Sequence, residues 1–255
     1  MKYKKKKLEI LGVVGIRSGS KGIKNKNIKS FLGTPLIGRI LKTAKKSKYL
    51  NRLIVSTDSQ SYAKIAKKYG GEVLYLRPKN ISKDKSHEIE FIKDLIKNLK
   101  KKESYTPDII VRLLATVPLQ TTNDIDESIK KIIQNVRLDS CFVISEAQQH
   151  PLKALKIDQS KNLVSFINSS GSEIGKNQNR NLFQKAYFRS NIIVTRYKTI
   201  KKFNSLSGKK NGFHIIPQIR SIDIDTKADF IYAEYLAKYM KSISQKIKKN
   251  ETRRY

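Results

Sequence analysis

The sequence predicts an α/β fold: a Rossmann-like, mostly parallel sheet with helices on both faces and a small hairpin-containing insertion. Three observations point there. Apolar strand-like runs alternate with helix-period segments from residue 8 to about residue 147, as in a parallel sheet covered on both sides. That alternation then stops, and two short arms at 151–157 and 163–167 read as a hairpin. The chain has 255 residues, 38% of them hydrophobic, enough for one large domain with its own core.

The elements follow in order. Residues 8–16, LEILGVVGI, are an apolar run bounded by glycine and read as a buried strand. A helix is expected near 35–48, with Leu36, Ile37, Ile40, Leu41 and Ala44 on one face. A short strand at 53–56 ends at Thr57-Asp58, where Asp58 reads as a turn or cap. A helix at 62–69 stops at Gly70-Gly71. A strand at 72–76 and a helix at 88–100 come next, then a buried strand at 108–115. Residues 124–134 form a helix with Asn123 as its expected N-cap, and 141–144 form another strand. Cys141 is the chain's single cysteine and is expected to be a buried structural thiol. Residues 168–181 are polar and read as a mobile loop or an oligomer contact. Strand character returns at 187–195 and 214–224, and 228–240 reads as a helix with Phe230, Ile231, Ala233, Leu236 and Ala237 inward. The basic ends, 1–7 and 241–255, read as tails, the second one disordered.

Two stretches carry chemistry. The loop behind the first strand holds Arg17, Lys21, Lys24, Lys26 and Lys29, with Gly19 and Gly22 to let the backbone approach a ligand. Backbone N–H groups beside clustered cations suit a polyphosphate. The loop is neither a Walker A motif nor a dinucleotide fingerprint, and a lysine-rich surface loop is the competing reading. Lys24 and Lys29 are read as surface residues. Ser18 and Asn27 either bond phosphate or ribose, or cap the loop internally. Near the other end stands Ser221-Ile-Asp-Ile-Asp-Thr226. On a strand, Asp223 and Asp225 would share one face while Ile222 and Ile224 point inward. Two hard carboxylates on one face suit Mg²⁺; an acidic pair at a helix N-terminus is the rival reading. His87, His150 and His214 show no zinc spacing.

The charge is extreme, with 54 Lys+Arg against 21 Asp+Glu and a formal net charge of +33. The lysines are scattered over nearly every helix and loop rather than gathered on one stripe, which argues against a dedicated nucleic-acid protein. Residues with A/T-rich codons are abundant, so base composition is a competing cause. No run approaches the length of a transmembrane helix. The start imitates a signal peptide, but Glu9 interrupts its apolar run and no A-x-A site follows. A cytoplasmic protein with no membrane and no specific nucleic-acid partner is expected, consistent with the single cysteine.

Several motifs occur together and in order. Ile16-Arg-Ser-Gly-Ser-Lys-Gly-Ile-Lys-Asn-Lys-Asn-Ile28 resembles the signature loop of the acylneuraminate cytidylyltransferases, the CMP-sialic acid synthetases. Gly33-Thr-Pro-Leu-Ile37, Val55-Ser-Thr-Asp58, Arg77-Pro78 with Asp84, His150-Pro-Leu-Lys153 and Ser221-Ile-Asp-Ile-Asp-Thr226 are similar to further segments of that family, from about residue 8 to about residue 240. The resemblance implies transfer of CMP from CTP to a nonulosonic acid with release of pyrophosphate, by an Mg²⁺-dependent homodimer. It implies a cytidylyltransferase domain at 8–240, with 148–185 as an oligomerisation or sugar-side insertion. Arg17, Lys26 and Asp225 are then the catalytic candidates. Arg17, Ser18, Lys21, Lys26, Asn27 and Arg77 would bind nucleotide, with Arg77 near the cytosine. Gln120, Lys153, Arg180, Gln184 and Arg189 would bind the sugar, and Asp223 and Asp225 the metal. Two segments depart from the family's pattern. Its Leu-Gln-Pro-Thr-Ser-Pro-Leu-Arg reads Leu113-Leu-Ala-Thr-Val-Pro-Leu-Gln120 here, and its Pro-Asn-Gly reads Ser190-Asn191-Ile192. These departures leave open another sugar acid as substrate, such as legionaminic, pseudaminic or 3-deoxy-manno-octulosonic acid.

Overall fold

The computed structural model describes residues 7–167 and 183–251. Chain order is β1 (Ile10–Gly15), β2 (Ser30–Phe31), β3 (Thr34–Pro35), α1 (Leu36–Ala44), β4 (Arg52–Ser56), α2 (Gln60–Lys68), α3 (Glu88–Glu103), β5 (Ile109–Leu113), α4 (Thr122–Gln134), β6 (Ser140–Glu146), β7 (Leu155–Ile157), β8 (Leu163–Ser165), β9 (Tyr187–Arg196), α5 (Tyr197–Phe203), β10 (Asn211–Ile215) and α6 (Lys227–Glu251). The main sheet has six strands in the order β10-β6-β9-β5-β1-β4. All neighbours are parallel except β9, which runs antiparallel to both β5 and β6.

Strands buried on both faces explain the nearly continuous apolar runs. Ile10, Val14, Val111 and Val143 look toward α1, α2, α4 and the start of α6, where Leu36, Ile37, Ile125, Ile129 and Phe230 are buried. Leu11, Val13, Ile54 and Ile110 look toward α3 and α5, where Phe91, Ile92, Leu95 and Ile200 are buried. Each fully buried Leu or Ile contributes about 1.5–3 kcal/mol. Cys141 is buried and free, as expected. The hairpin is present as the antiparallel pair β7–β8. Among the described residues, no helix is long and apolar enough to cross a membrane.

The structure corrects five local expectations. Residues 72–76 form no strand; they touch β4 at isolated bridges, Ile54 to Glu72 and Thr57 to Leu76, while Leu74 and Tyr75 pack against the α3-side core. The N-cap of α4 is Thr121 rather than Asn123. Its hydroxyl accepts from Asp124 N, and the Asp124 carboxylate accepts from Thr121 N, a reciprocal capping box. Strand β10 stops at Ile215, because Pro217 has no N–H for the ladder and a 3₁₀ turn at Gln218–Arg220 follows. Helix α6 continues to Glu251 through a stretch free of Gly and Pro, so 241–251 is helical rather than disordered. On α6, Phe230 and Ala233 set the buried face and leave Ile231 69% exposed. The stretch expected as a mobile loop, 168–181, lies outside the described residues.

Candidate active site

The carboxyl ends of β1, β4 and β5 open onto a cleft of about 500 Å³. Arg17, Lys21, Lys26, Asn27, Arg77 and Asp225 all line it. These six come from the loop after β1, the segment between α2 and α3, and the segment before α6, at the carboxyl ends of parallel strands.

The loop is held by specific contacts. Asp58, at the end of β4, accepts Ser18 N and Ser18 Oγ, each at 2.8 Å. Ser18 is thus committed to fixing the loop and is not on the cleft wall. Asn27 is buried and donates to the Arg17 carbonyl across 3.3 Å. Gly22 lines the cleft and also has a packing role. A Cβ there would lie 2.3 Å from the Asp225 carbonyl oxygen, so the glycine lets the loop pack against the acidic segment. Lys26 completes that joint. Its ammonium donates to the Ile224 carbonyl at 2.6 Å and to Asp225 Oδ1 at 2.8 Å.

The remaining cations are balanced as well. Asp84 sits 2.5 Å from Arg17 Nη1 and 2.6 Å from Lys21 Nζ. Lys21 first, and Arg17 with it, hold the Asp84 carboxyl below the usual carboxylate range. Arg77 is the exception: it is buried and has no ion pair among the described residues. It donates to Ser56 Oγ at 3.0 Å and to the Ser56 carbonyl, and lies 4.3 Å from the Phe91 ring centroid. Burial pulls its guanidinium down to about 10. Phe91 in turn needs Gly15, because a Cβ at that position would lie 2.4 Å from the ring.

Asp223 and Asp225 do not sit on a strand. They lie in an irregular extended segment pinned by Ile224 N to the Thr116 carbonyl at 2.9 Å, with Ile224 fully buried between them. Solvent reaches Asp223, yet the protein crowded around it raises its carboxyl above the ordinary value, with Asp225 adding to the rise and a Thr116 contact opposing it. Two neighbouring carboxylates of this kind suit a hard divalent cation held chiefly through phosphate oxygens. Among the described residues, no group of three or more His, Cys, Asp or Glu is placed to hold a metal on its own.

The sugar-side candidates separate. Arg189 is exposed and lines two further cavities, one of them shared with Lys153 and His150. Gln184 is exposed, and its carbonyl lies 2.9 Å from His150 Nε2. Gln120 is buried away from these cavities and donates to Ser190 Oγ at 3.2 Å. Arg180 lies outside the described residues. Arg112 and Glu88, unnoticed in the sequence, meet beside the nucleotide cleft with Nε and Oε1 2.8 Å apart. A lone cation inside the apolar run 108–115 was the available signal.

A model of the cytidylyltransferase family matches residues 11–248. The chain belongs to the cytidylyltransferase family. It is 30% identical over 231 residues to "Post-translational flagellin modification protein B" of Campylobacter coli, covering 90% of this chain and 95% of that protein. It is 28% identical to the N-acylneuraminate cytidylyltransferase of Escherichia coli, over 87% of this chain and 50% of that one. Its fold matches a CMP:2-keto-3-deoxy-manno-octonic acid synthetase structure with a TM-score of 0.65 at 13% identity, over 91% of this chain and 99% of the other. As a cytidylyltransferase, the protein has its loop cations and Asp225 in one cleft.

Proposed function

We propose that this cytidylyltransferase transfers CMP from CTP to a nonulosonic acid. The observation that carries the reading is the Lys26–Asp225 contact, which joins the cationic loop to the acidic segment inside one cleft. The relatives named for N-acylneuraminate support the acceptor class.

Arg17, Lys21 and Lys26 hold the triphosphate and offset the charge that grows on departing pyrophosphate. Arg77, stacked on Phe91, flanks the base and gives the cleft a fixed wall. The anomeric hydroxyl attacks the α-phosphorus in line. A new O–P bond forms, the bond to the β-phosphate bridging oxygen breaks, and the hydroxyl proton passes to a carboxylate of the Asp223–Asp225 segment. Asp223 and Asp225 are also the residues that would hold Mg²⁺, which when bound supplies charge neutralisation of the phosphates. Arg189 and Lys153 provide cations on the acceptor side, and Gln120 supports that side from below through Ser190.

A homodimer is part of the same reading. Hairpin residues Leu155, Ile157 and Leu163 and nearby Phe166 and Phe188 are exposed apolar groups that a second copy would cover. Light scattering at micromolar concentration tests this; a strictly monomeric mass removes it.

Pyrophosphate release is the deciding assay, with CTP, UTP, ATP or GTP against a panel of nonulosonic acids and 3-deoxy-manno-octulosonic acid. CTP with a nonulosonic acid should dominate, and a chelator should stop turnover. Equal turnover with UTP would remove the cytosine assignment.

A further inference from the structure

The two segments that depart from the family's pattern meet in space. Gln120 bonds Ser190 Oγ, and Arg112 Nη1 donates to the Asn191 carbonyl at 2.9 Å. Both partners lie in an irregularity of β9. Phe142 of β6 pairs with Ile193 and Ile144 with Arg189, so Ser190, Asn191 and Ile192 face Val143 alone. Such a bulge re-aims backbone and side chains, and bulges concentrate beside active sites.

This bulge forms one wall of a second cavity, about 530 Å³, which adjoins the nucleotide cleft through His87 and Glu88. Its charge is unbalanced. Arg112 and Arg189 both line it, against a single carboxylate, Glu88, among the described residues. Arg112 is only 8% exposed, and although Glu88 is within ion-pair distance, neither Arg112 Nε nor Glu88 Oε1 has an aligned hydrogen bond. Burial lowers the Arg112 pKa and Arg189 lowers it further, while Glu88 and, more weakly, Asp223 partly restore it. A buried guanidinium whose carboxylate neighbour is poorly aligned with its fork suits a planar anion that can take that fork.

We propose that Arg112 is a specificity-determining residue, reading the carboxylate of the acceptor from the floor of this second cavity, aimed by the β9 bulge. The inference rests on the cytidylyl-transfer reading. Arg189 approaches the same carboxylate from the open side, and Phe142 supplies an apolar wall. Gln120 is a positioning residue that acts through Ser190 on the bulge.

The test uses the full-length protein as wild type, Arg112→Lys and Arg112→Met. Probes are N-acetylneuraminic, N,N′-diacetyllegionaminic and pseudaminic acids, and the methyl ester of the best of them. Wild type should prefer the free acid to its ester by roughly tenfold or more. Arg112→Lys should raise the acceptor KM about tenfold while the CTP KM stays within about twofold, because lysine keeps charge and loses the fork. Arg112→Met should abolish the acid-over-ester preference. If the Met variant does not fold, the Lys variant's ratio decides. Equal changes in both KM values, or an acid-to-ester ratio unchanged in Arg112→Lys, would overturn the inference alone. No turnover of any acid by wild type would overturn the cytidylyl-transfer reading and the inference with it.

Discussion

The nucleotide cleft and the acceptor side hold most of their cations in different ways. In the cleft, Arg17 and Lys21 share Asp84 and Lys26 holds Asp225, while Arg77, the exception, rests on the Phe91 ring and is spent on the ends of β1 and β4. On the acceptor side Arg112 pairs with Glu88, but the outer cations lean on rings: Arg189 lies 5.6 Å from the Phe142 centroid and, in the neighbouring cavity, Lys153 lies 5.8 Å from that of Phe183. Paired cations are pre-positioned, and a polyanion can displace their acidic partners without moving the scaffold. Cations resting on aromatic faces gain only about 0.5–2 kcal/mol and are open to a better partner. A cleft built the first way suits an invariant triphosphate. A cavity built the second way suits an acceptor that differs among relatives.

The sharpest break in this contrast is on the cleft side. Asp225→Asn should lower turnover about 100-fold or more, since metal and charge stabilisation amount to several kcal/mol. The side chain is 73% exposed, so the melting temperature should barely change. Pyrophosphate release at saturating Mg²⁺ measures it, and near wild-type rates would remove Asp225 from the chemistry.

A charge cluster with no catalytic task calibrates both cavities. Asp124 is fully buried, with Arg220 Nη2 at 3.1 Å and His214 Nε2 at 3.7 Å from Oδ1. Burial alone would raise its carboxyl, but His214, Thr121 and Arg220 outweigh that and hold it below the ordinary value. A depressed carboxyl contributes stability that is present above its unfolded pKa of about 3.9 and lost as pH falls through the folded value. Asp124→Asn should therefore cost about 3–5 kcal/mol at neutral pH, with the difference from wild type shrinking in acid. Urea unfolding at several pH values tests this; a cost independent of pH would assign the effect to helix capping alone.

Two smaller effects sharpen the contrast. Gly15→Ala should cost about 1–3 kcal/mol by pushing Phe91 off its site, and should raise the CTP KM because Arg77 rests on that ring. A stability loss with unchanged CTP KM would separate Arg77 from the nucleotide. Arg189→Ala should reduce acceptor kcat/KM by only about 0.2–1 kcal/mol, since Arg189 is exposed. A fall of about 2–5 kcal/mol would mean that the bound acceptor seals Arg189 from water.

The sheet and its helices were legible because strands buried on both faces leave unbroken apolar runs such as Ile109–Leu113, and helices such as α1 leave a clear stripe. The cleft residues were legible because they cluster in one short loop and one acidic segment. Their geometry was not. The expected strand does not reach Asp223 and Asp225, because β10 ends before Pro217. The packing role of Gly22 was not legible either, since sequence cannot show that the Asp225 carbonyl abuts it. Arg112 escaped notice because a single buried charge has no periodicity, and its partners Glu88 and Asn191 come from other elements. The Gln120–Ser190 contact was not legible, since only the register of β9 brings Ser190 over Gln120.

The joint between Lys26 and Asp225 spans 199 positions of sequence. It sets an order of events during synthesis. The loop after β1 leaves the ribosome early, with its cations and no acidic partner from the far segment. Closing so long a loop is entropically costly and comes late in folding. In the proposed reading, nucleotide chemistry is therefore withheld until the chain has been made past Asp225 and α6 has docked through Phe230 and Ala233. A nascent or truncated chain that ends before that segment would have a sheet and a cationic loop, but no working centre with which to consume CTP.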